Sequence, residues 1–299
     1  MEEHESIDVV RAWEQMGARA RLGGDDIFIL DTGGEGTPIL VLHGFPTCSF
    51  DWRAVVALLP ERRIVAPDML GYGLSGKPLD RPYSLFNQAD LVESLARTSG
   101  IERCVLVTHD MGDSVGGELC ARALEGTLSF EIDARVVTNG SIYMDLVQLS
   151  AGQQVLLALP DEPLPADRAI TQELFIPGLA ATFAEATKPT EGEMRAQWEL
   201  LARAGGNRVL PRLIRYIEER RVHEDRWTGA IERHPSPLTI VWGDQDPIAV
   251  YAMAERLAER RADATLVRLE GVGHYPMVET PDRVARAVRD AIGLMGSIG

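Results

Sequence analysis

The sequence predicts an α/β protein: a mostly parallel sheet flanked by helices, with a helical cap inserted late in the chain. Three observations carry the prediction. Short, continuous apolar runs that end in turns recur along the chain, as buried strands of a parallel sheet do. Helical patterns separate them. From about Ser141 to Pro237 the alternation stops, and a stretch rich in Leu, Ala and Pro contains no clear buried strand.

The elements follow in order. Ile7, Val10, Trp13 and Gly17 fall at helical spacing, so a short N-terminal helix is expected to pack on the body. The run 26–31 (DIFILD) reads as a strand leading into a glycine-rich turn, Gly33 to Gly36. Buried strands are expected at 39–44 (ILVLHG), 63–68 (RIVAPD) and 104–110 (CVLVTHD). Between the last two, Ser84 can cap the start of a helix and Gly100 can end it. A helix should follow Gly112 to about Leu124. Strand-to-turn units recur at 135–140, 238–244 and 265–274, and a last helix begins with Pro281 in its first turn. The expected division is a core of residues 1–140 and 237–299 with a cap of residues 141–236. Ligands of open α/β sheets sit at the carboxyl ends of the strands. His43, Asp68, Asp110, Asp246 and His274 all fall just past such ends, where a cap would cover them.

Composition narrows the function classes. The 299 residues are 45% hydrophobic and 25% charged, which is ordinary globular composition. The formal charge of −15 repels phosphate backbones and anionic membranes, so neither nucleic acid nor a membrane is an expected partner. Cys48, Cys104 and Cys120 are odd in number and show no CxxC spacing, as expected in a reducing compartment. The acidic N-terminus lacks the apolar core of a signal peptide, and no apolar run approaches a membrane span. A cytoplasmic protein is expected, with no metal and no cofactor. A homo-oligomer is compatible with the sequence, which does not fix the oligomeric state.

The chemistry concentrates at one turn. Thr108-His109-Asp110-Met111-Gly112 lies at a strand-to-helix junction and has the form small-x-acid-x-small. It resembles the nucleophile elbow of the α/β-hydrolase fold, which lifts one side chain above the sheet. Asp110 holds the apex; Ser114 lies too far into the helix to take it. Thr108 stands where a glycine is usual. An Asp at a helix start also reads as an N-cap, and the turn alone does not separate the two readings. The surrounding motifs favour the nucleophile. His43-Gly44-Phe45-Pro46 after a strand resembles an oxyanion loop. Gly243-Asp244-Gln245-Asp246-Pro247 and Gly271-Val272-Gly273-His274 then supply an acid and a histidine in the order that fold uses. Asp246 fits the acid position better than its rivals Asp244 and Asp145. His109 is expected to point away from the pocket, Asp68 and Ser75 to be structural, and His43 to support the loop or simply to pack.

The motifs HGFPTCSFDW (43–52), DMLGYGLSGKP (68–78), THDMGD (108–113) and GHYPMVE (274–279) resemble the epoxide hydrolase and haloalkane dehalogenase branch of the α/β-hydrolases. YSLFNQADLVESL (83–95), HDMGDSV (109–115), NGSIY (139–143) and LIRYIEERR (213–221) look most like its MEST-like group. The resemblance covers nearly the whole chain and is weakest in the first half of the cap. It implies that Asp110 attacks a saturated carbon to give an ester. His274 then activates water, Asp246 orients His274, and the N–H groups of Phe45 and Met111 hold the oxyanion. Dehalogenases of this branch typically place Asn after the His-Gly pair and Trp after the nucleophile, where this chain has Phe45 and Met111. An epoxide oxygen needs a proton donor instead, and tyrosine suits that task. Tyr216, in LIRYIEERR, falls where relatives carry the ring-opening tyrosine, and Tyr143 is the second candidate donor. The expected substrates are therefore a small apolar epoxide and water, with a vicinal diol as product. Two alternatives stay open: a haloalkane dehalogenase using the same triad, and a ligand-binding protein of this fold without turnover.

Overall fold

The computed structural model describes residues 2–295. Its strands are β1 (Ala18–Leu22), β2 (Asp25–Asp31), β3 (Ile39–Leu42), β4 (Ile64–Pro67), β5 (Arg103–His109), β6 (Glu131–Thr138), β7 (Leu238–Gly243) and β8 (Thr265–Leu269). They form one sheet in the order β1-β2-β4-β3-β5-β6-β7-β8. The first two strands pair antiparallel, as do β2 and β4. All other neighbours are parallel. The apolar runs explain the centre of the sheet: every residue of β3, β4 and β7, and all of β5 but Arg103, is buried.

One strand was not expected from the sequence. In β1 (ARARL) only Leu22 is buried, so no apolar signal marks it. It is an edge strand, and its exposed arginines blunt that edge against further pairing. The N-terminal helix runs Glu2–Met16, with Val10 and Trp13 buried and the Trp13 ring edge-on to Phe50 at 5.9 Å. Ser84 does cap the helix Leu85–Thr98, accepting the N–H of Phe86.

Between β6 and β7 the chain forms helices and no strand. The longer ones are Ala151–Ala158, Gln172–Ala180, Glu191–Ala202, Gly206–Leu213, Tyr216–Val222 and Glu224–Arg233. The last is bound to the helix after β5, Met111–Leu124. Buried Glu118 accepts Arg226 Nε at 2.6 Å and Trp227 Nε1 at 2.9 Å, and Gly117 leaves room for the Trp227 backbone. Among the described residues, no helix is long and apolar enough to cross a membrane.

Helix Met111–Leu124 must start against β3, and Gly112 permits it. A Cβ there would lie 2.4 Å from the Leu42 carbonyl oxygen. The obstacle is backbone of a central strand and cannot swing aside. Gly112→Ala should therefore lower stability by about 3 kcal/mol, the upper end for overpacking. An unchanged urea midpoint would show that strand and helix can separate without cost.

Candidate active site

Asp110 joins β5 to the following helix at φ 49°, ψ −109°. A non-glycine residue rarely takes a positive φ, and holding one costs on the order of 1–3 kcal/mol. The turn directs the carboxylate away from the helix: Asp110 makes no side-chain cap bond. The N-cap reading of this residue is thereby excluded. One oxygen, Oδ2, accepts the N–H of Phe45 at 2.9 Å. The other, Oδ1, is buried and has no hydrogen-bond partner. Gly44 permits this approach, since a Cβ there would lie 2.7 Å from Asp110 Cβ. Met111 is the first residue of its helix, where backbone N–H groups have no acceptor within the helix.

His274 and Asp246 meet beside the elbow. His274 Nδ1 lies 2.7 Å from Asp246 Oδ2. The same oxygen accepts Asn139 Nδ2 at 2.7 Å, while Oδ1 accepts the N–H groups of Ile248 at 2.7 Å and Ala249 at 3.0 Å. Four donors fix this carboxylate in place. Burial alone would push the His274 imidazolium towards losing its proton. The charge and hydrogen bond of Asp246 outweigh burial, with smaller help from Asp110 and Glu279, and the pKa rises to about 9. The rival acids are engaged elsewhere: Asp145 pairs with Arg256 at 2.6 Å and Asp244 with Arg268 at 2.8 Å.

Asn139 had no assigned role in the sequence. It ends β6 at φ 43°, a conformation Asn tolerates better than most residues. Its amide bridges Asp246 and the N–H of Gly243, tying two strand ends together. An Asn-Gly pair at the end of a buried strand was the available signal.

The neighbouring histidines are structural. Met69 N–H donates to His43 Nε2 at 2.9 Å, which places the proton on Nδ1, bonded to the Gly44 carbonyl at 2.9 Å. This props the loop that carries Phe45. His109 Nε2 meets the His274 carbonyl at 2.8 Å. Burial, then the nearby His274 charge, pushes His109 down to about 3, so it stays neutral. Asp68 accepts the N–H groups of Ser49 at 2.8 Å and Leu74 at 2.6 Å, and Ser75 Oγ donates to its carbonyl at 2.6 Å.

The inserted helices cover this site and leave a cavity of about 300 Å³. Phe45, Gln153, Leu156, Phe175, His274 and Tyr275 are among its walls. Asp110 and Tyr216 lie one layer behind, each 2% exposed. The Tyr216 ring packs 5.5 Å from Phe45. Burial and then the Asp110 charge raise its hydroxyl above the ordinary tyrosine pKa; Arg220 and Gln153 act the other way. Arg220, one turn on, is buried beneath it. The guanidinium lies 4.9 Å from the Tyr216 ring centre and donates to Ser114 Oγ at 2.6 Å and to the Asp110 carbonyl at 3.3 Å. It ties the helix bearing Tyr216 to the elbow, a link the sequence reading missed.

Tyr143 must be corrected as a candidate donor. Its hydroxyl donates to Glu232 at 2.8 Å and its ring carries Arg256 at 4.8 Å. It packs with Trp242 and Met253 in a separate cluster and is not part of the cavity wall. The chain turns outward after the Asn139-Gly140 pair, and proximity in sequence to β6 did not bring this side chain inward.

A sheet of this topology with an acid elbow, a strand-end carboxylate and a late histidine belongs to a known class. The alpha/beta hydrolase family pattern matches residues 39–287, and the chain belongs to that family. It is 40% identical over 278 residues to the putative hydrolase LipZ of Mycobacterium tuberculosis, covering 93% of this chain and 96% of that one. It is 32% identical to the mesoderm-specific transcript protein of Mus musculus, covering 91% and 84%. A solved loop variant of haloalkane dehalogenase from Bradyrhizobium elkanii superposes with a TM-score of 0.75 at 23% identity, covering 94% and 97%, and shows the shared fold.

The raised His274 pKa makes stability depend on pH. The folded chain binds this proton more tightly than an unfolded histidine at 6.5. The resulting stabilisation is complete below pH 6.5 and is lost as pH rises through about 9. His274→Gln should remove that loss, so its urea midpoint should change less than the wild type's between pH 6.5 and 9. Parallel curves for the two proteins would contradict the assignment.

Proposed function

We propose that this hydrolase opens an epoxide to a vicinal diol through an ester on Asp110. The observation that carries the reading is the state of the Asp110 carboxylate. One oxygen already rests on the Phe45 N–H, and the other is bare. A serine would need a base to remove its proton first. A carboxylate is ready to attack a saturated carbon.

In the first step Asp110 Oδ1 forms a bond to a ring carbon. The ring C–O bond breaks, its electron pair stays on oxygen, and that oxygen takes the Tyr216 proton. Before the second step the tyrosinate takes the His274 imidazolium proton through solvent; the neutral His274 then removes a proton from water, which attacks the ester carbonyl. Oδ2 becomes the oxyanion and is held by the N–H groups of Phe45 and Met111. Asp246 balances the imidazolium. Collapse of the intermediate then releases the diol and regenerates the Asp110 carboxylate, with His274 again imidazolium.

The charge of Asp110 supports this order of events. It contributes to the raised pKa of both Tyr216 and His274. Forming the ester removes that charge. As the bond forms the phenol becomes a better acid, and the imidazolium afterwards gives up its proton more readily to become a base. One chemical event thus prepares both groups for the steps that follow.

Halide release fits less well. A leaving halide needs side-chain N–H donors beside the nucleophile. Phe45 has none, and the Met111 sulfur is occupied by the Tyr72 hydroxyl at 3.0 Å.

A panel of styrene-type and aliphatic epoxides beside haloalkanes tests the reading, scoring diol and halide. Diol without halide is expected. Halide without diol would keep the Asp110 mechanism and overturn the substrate. No turnover of either class would favour a binding protein of this fold. His274→Gln should stall after alkylation, and mass spectrometry should find substrate on the Asp110 peptide. No adduct despite normal binding would refute the two-step route. Tyr216→Phe should slow ring opening by about 10²-fold, the usual scale for a general acid. An undiminished rate would assign the proton to another group.

A further inference from the structure

We propose that the cavity is an apolar shaft with a single mouth, and that the substrate class is a terminal epoxide carried on a long, uncharged tail. The reaction rests on the epoxide reading above; the shaft does not. Exposure separates the two ends of the cavity. Phe45, His274 and Tyr275 line it at 6%, 2% and 1% exposure and close its floor. Val155 and Leu174 line it as well, yet are 60% and 67% exposed. An apolar side chain that is both wall and surface stands at a rim. Val155 belongs to the helix Ala151–Ala158 and Leu174 to Gln172–Ala180, and the next residue of each, Leu156 and Phe175, is buried in the wall. Among the described residues, every exposed one in the wall comes from these two helices. The mouth therefore lies between them.

Gly178 keeps the mouth clear. It lies inside the helix Gln172–Ala180 and lines the cavity, and a Cβ there would meet nothing within 4 Å. Packing does not call for glycine here, and glycine weakens a helix interior. The shape sets the substrate. A volume of about 300 Å³ reaches the range that takes drug-sized ligands, so the cavity holds more than a bare epoxide. A ring at the end of one tail can lead that tail to the floor, where His274 stands. An internal epoxide carries two arms, and one shaft takes only one. No lysine, arginine, aspartate or glutamate is among the described residues of the wall. A carboxylate drawn inside would shed its water and find no partner but His274, which Asp246 already holds.

Initial rates on terminal epoxides of increasing length, from butene oxide to dodecene oxide, test the shaft. The value of kcat/KM should rise about three- to fourfold per methylene, as burial of each methylene predicts, and level off once the tail reaches the mouth. Terminal octene oxide should exceed its internal isomer, and the same tail ending in a carboxylate should be a poorer substrate than the neutral one. A flat series, or a better internal isomer, would overturn the shaft. Gly178→Leu should end the gain at a shorter tail without lowering the thermal midpoint, since leucine is the better helix former. Leu174→Lys places a cation at the rim and should raise kcat/KM of the carboxylate relative to the neutral tail about fivefold at low salt. Unchanged selectivity in both variants would place the mouth elsewhere and overturn the assignment. Binding separates this claim from the reaction. Long-chain alcohols should displace the neutral fluorophore phenylnaphthylamine, more tightly as the chain lengthens, even if no epoxide is opened; in that case the shaft stands and the epoxide reading falls. Diol formation with no dependence on tail length would do the reverse.

Discussion

The structure depends on one strained residue. Asp110 sits at positive φ between the central strand β5 and its helix, and nothing in the residue itself favours that conformation. The neighbours impose it. Gly112 lets the helix start against the carbonyls at the end of β3, and Gly44 lets the loop carrying Phe45 close onto the carboxylate. The strain is offset by the buried contacts of β5, which lies between β3 and β6. In return the carboxylate is held by one backbone N–H with its other oxygen bare, a state that a relaxed N-cap could not reach.

From that point the site is assembled by strand ends. β6 contributes Asn139, the loop after β7 contributes Asp246, and the loop after β8 contributes His274. Parallel strands bring these to one edge of the sheet although they are far apart in the chain. Asn139 links them mechanically, because one amide holds both the acid and the first residue past β7's apolar run. His274 is thereby fixed through a carboxylate that is itself fully bonded. Such support keeps the imidazole in one orientation with its other nitrogen free for chemistry.

The inserted helices wall the cavity over the strand ends. They pack Tyr216 against Phe45, and Arg220 anchors the Tyr216 helix to the elbow. Arg220 is a buried cation bonded to a hydroxyl and a carbonyl. Its positive charge opposes the effect of Asp110 on Tyr216. Asp110, Tyr216 and Arg220 are all buried, so their interactions are screened less than at the surface.

The sheet and the elbow were legible because each rests on local signals. Buried parallel strands must be continuously apolar, and a sharp strand-to-helix turn must have a small residue beside its apex. The order of acid and histidine along the chain follows from the same strand pattern. The sequence alone therefore determined the fold class, the apex residue and which acid lies near the histidine. β1 escaped detection because an edge strand with exposed arginines has no apolar signature. The roles of Asn139 and Arg220, and the placement of Tyr143 in a separate buried cluster, were decided only by the tertiary structure. Each depends on where a polar side chain finds its partner across 89 to 107 residues of chain; Tyr143 finds Glu232, Arg220 finds Ser114, and Asn139 finds Asp246. Periodicity records which face of an element is buried, but it carries no information about which distant group that face will meet.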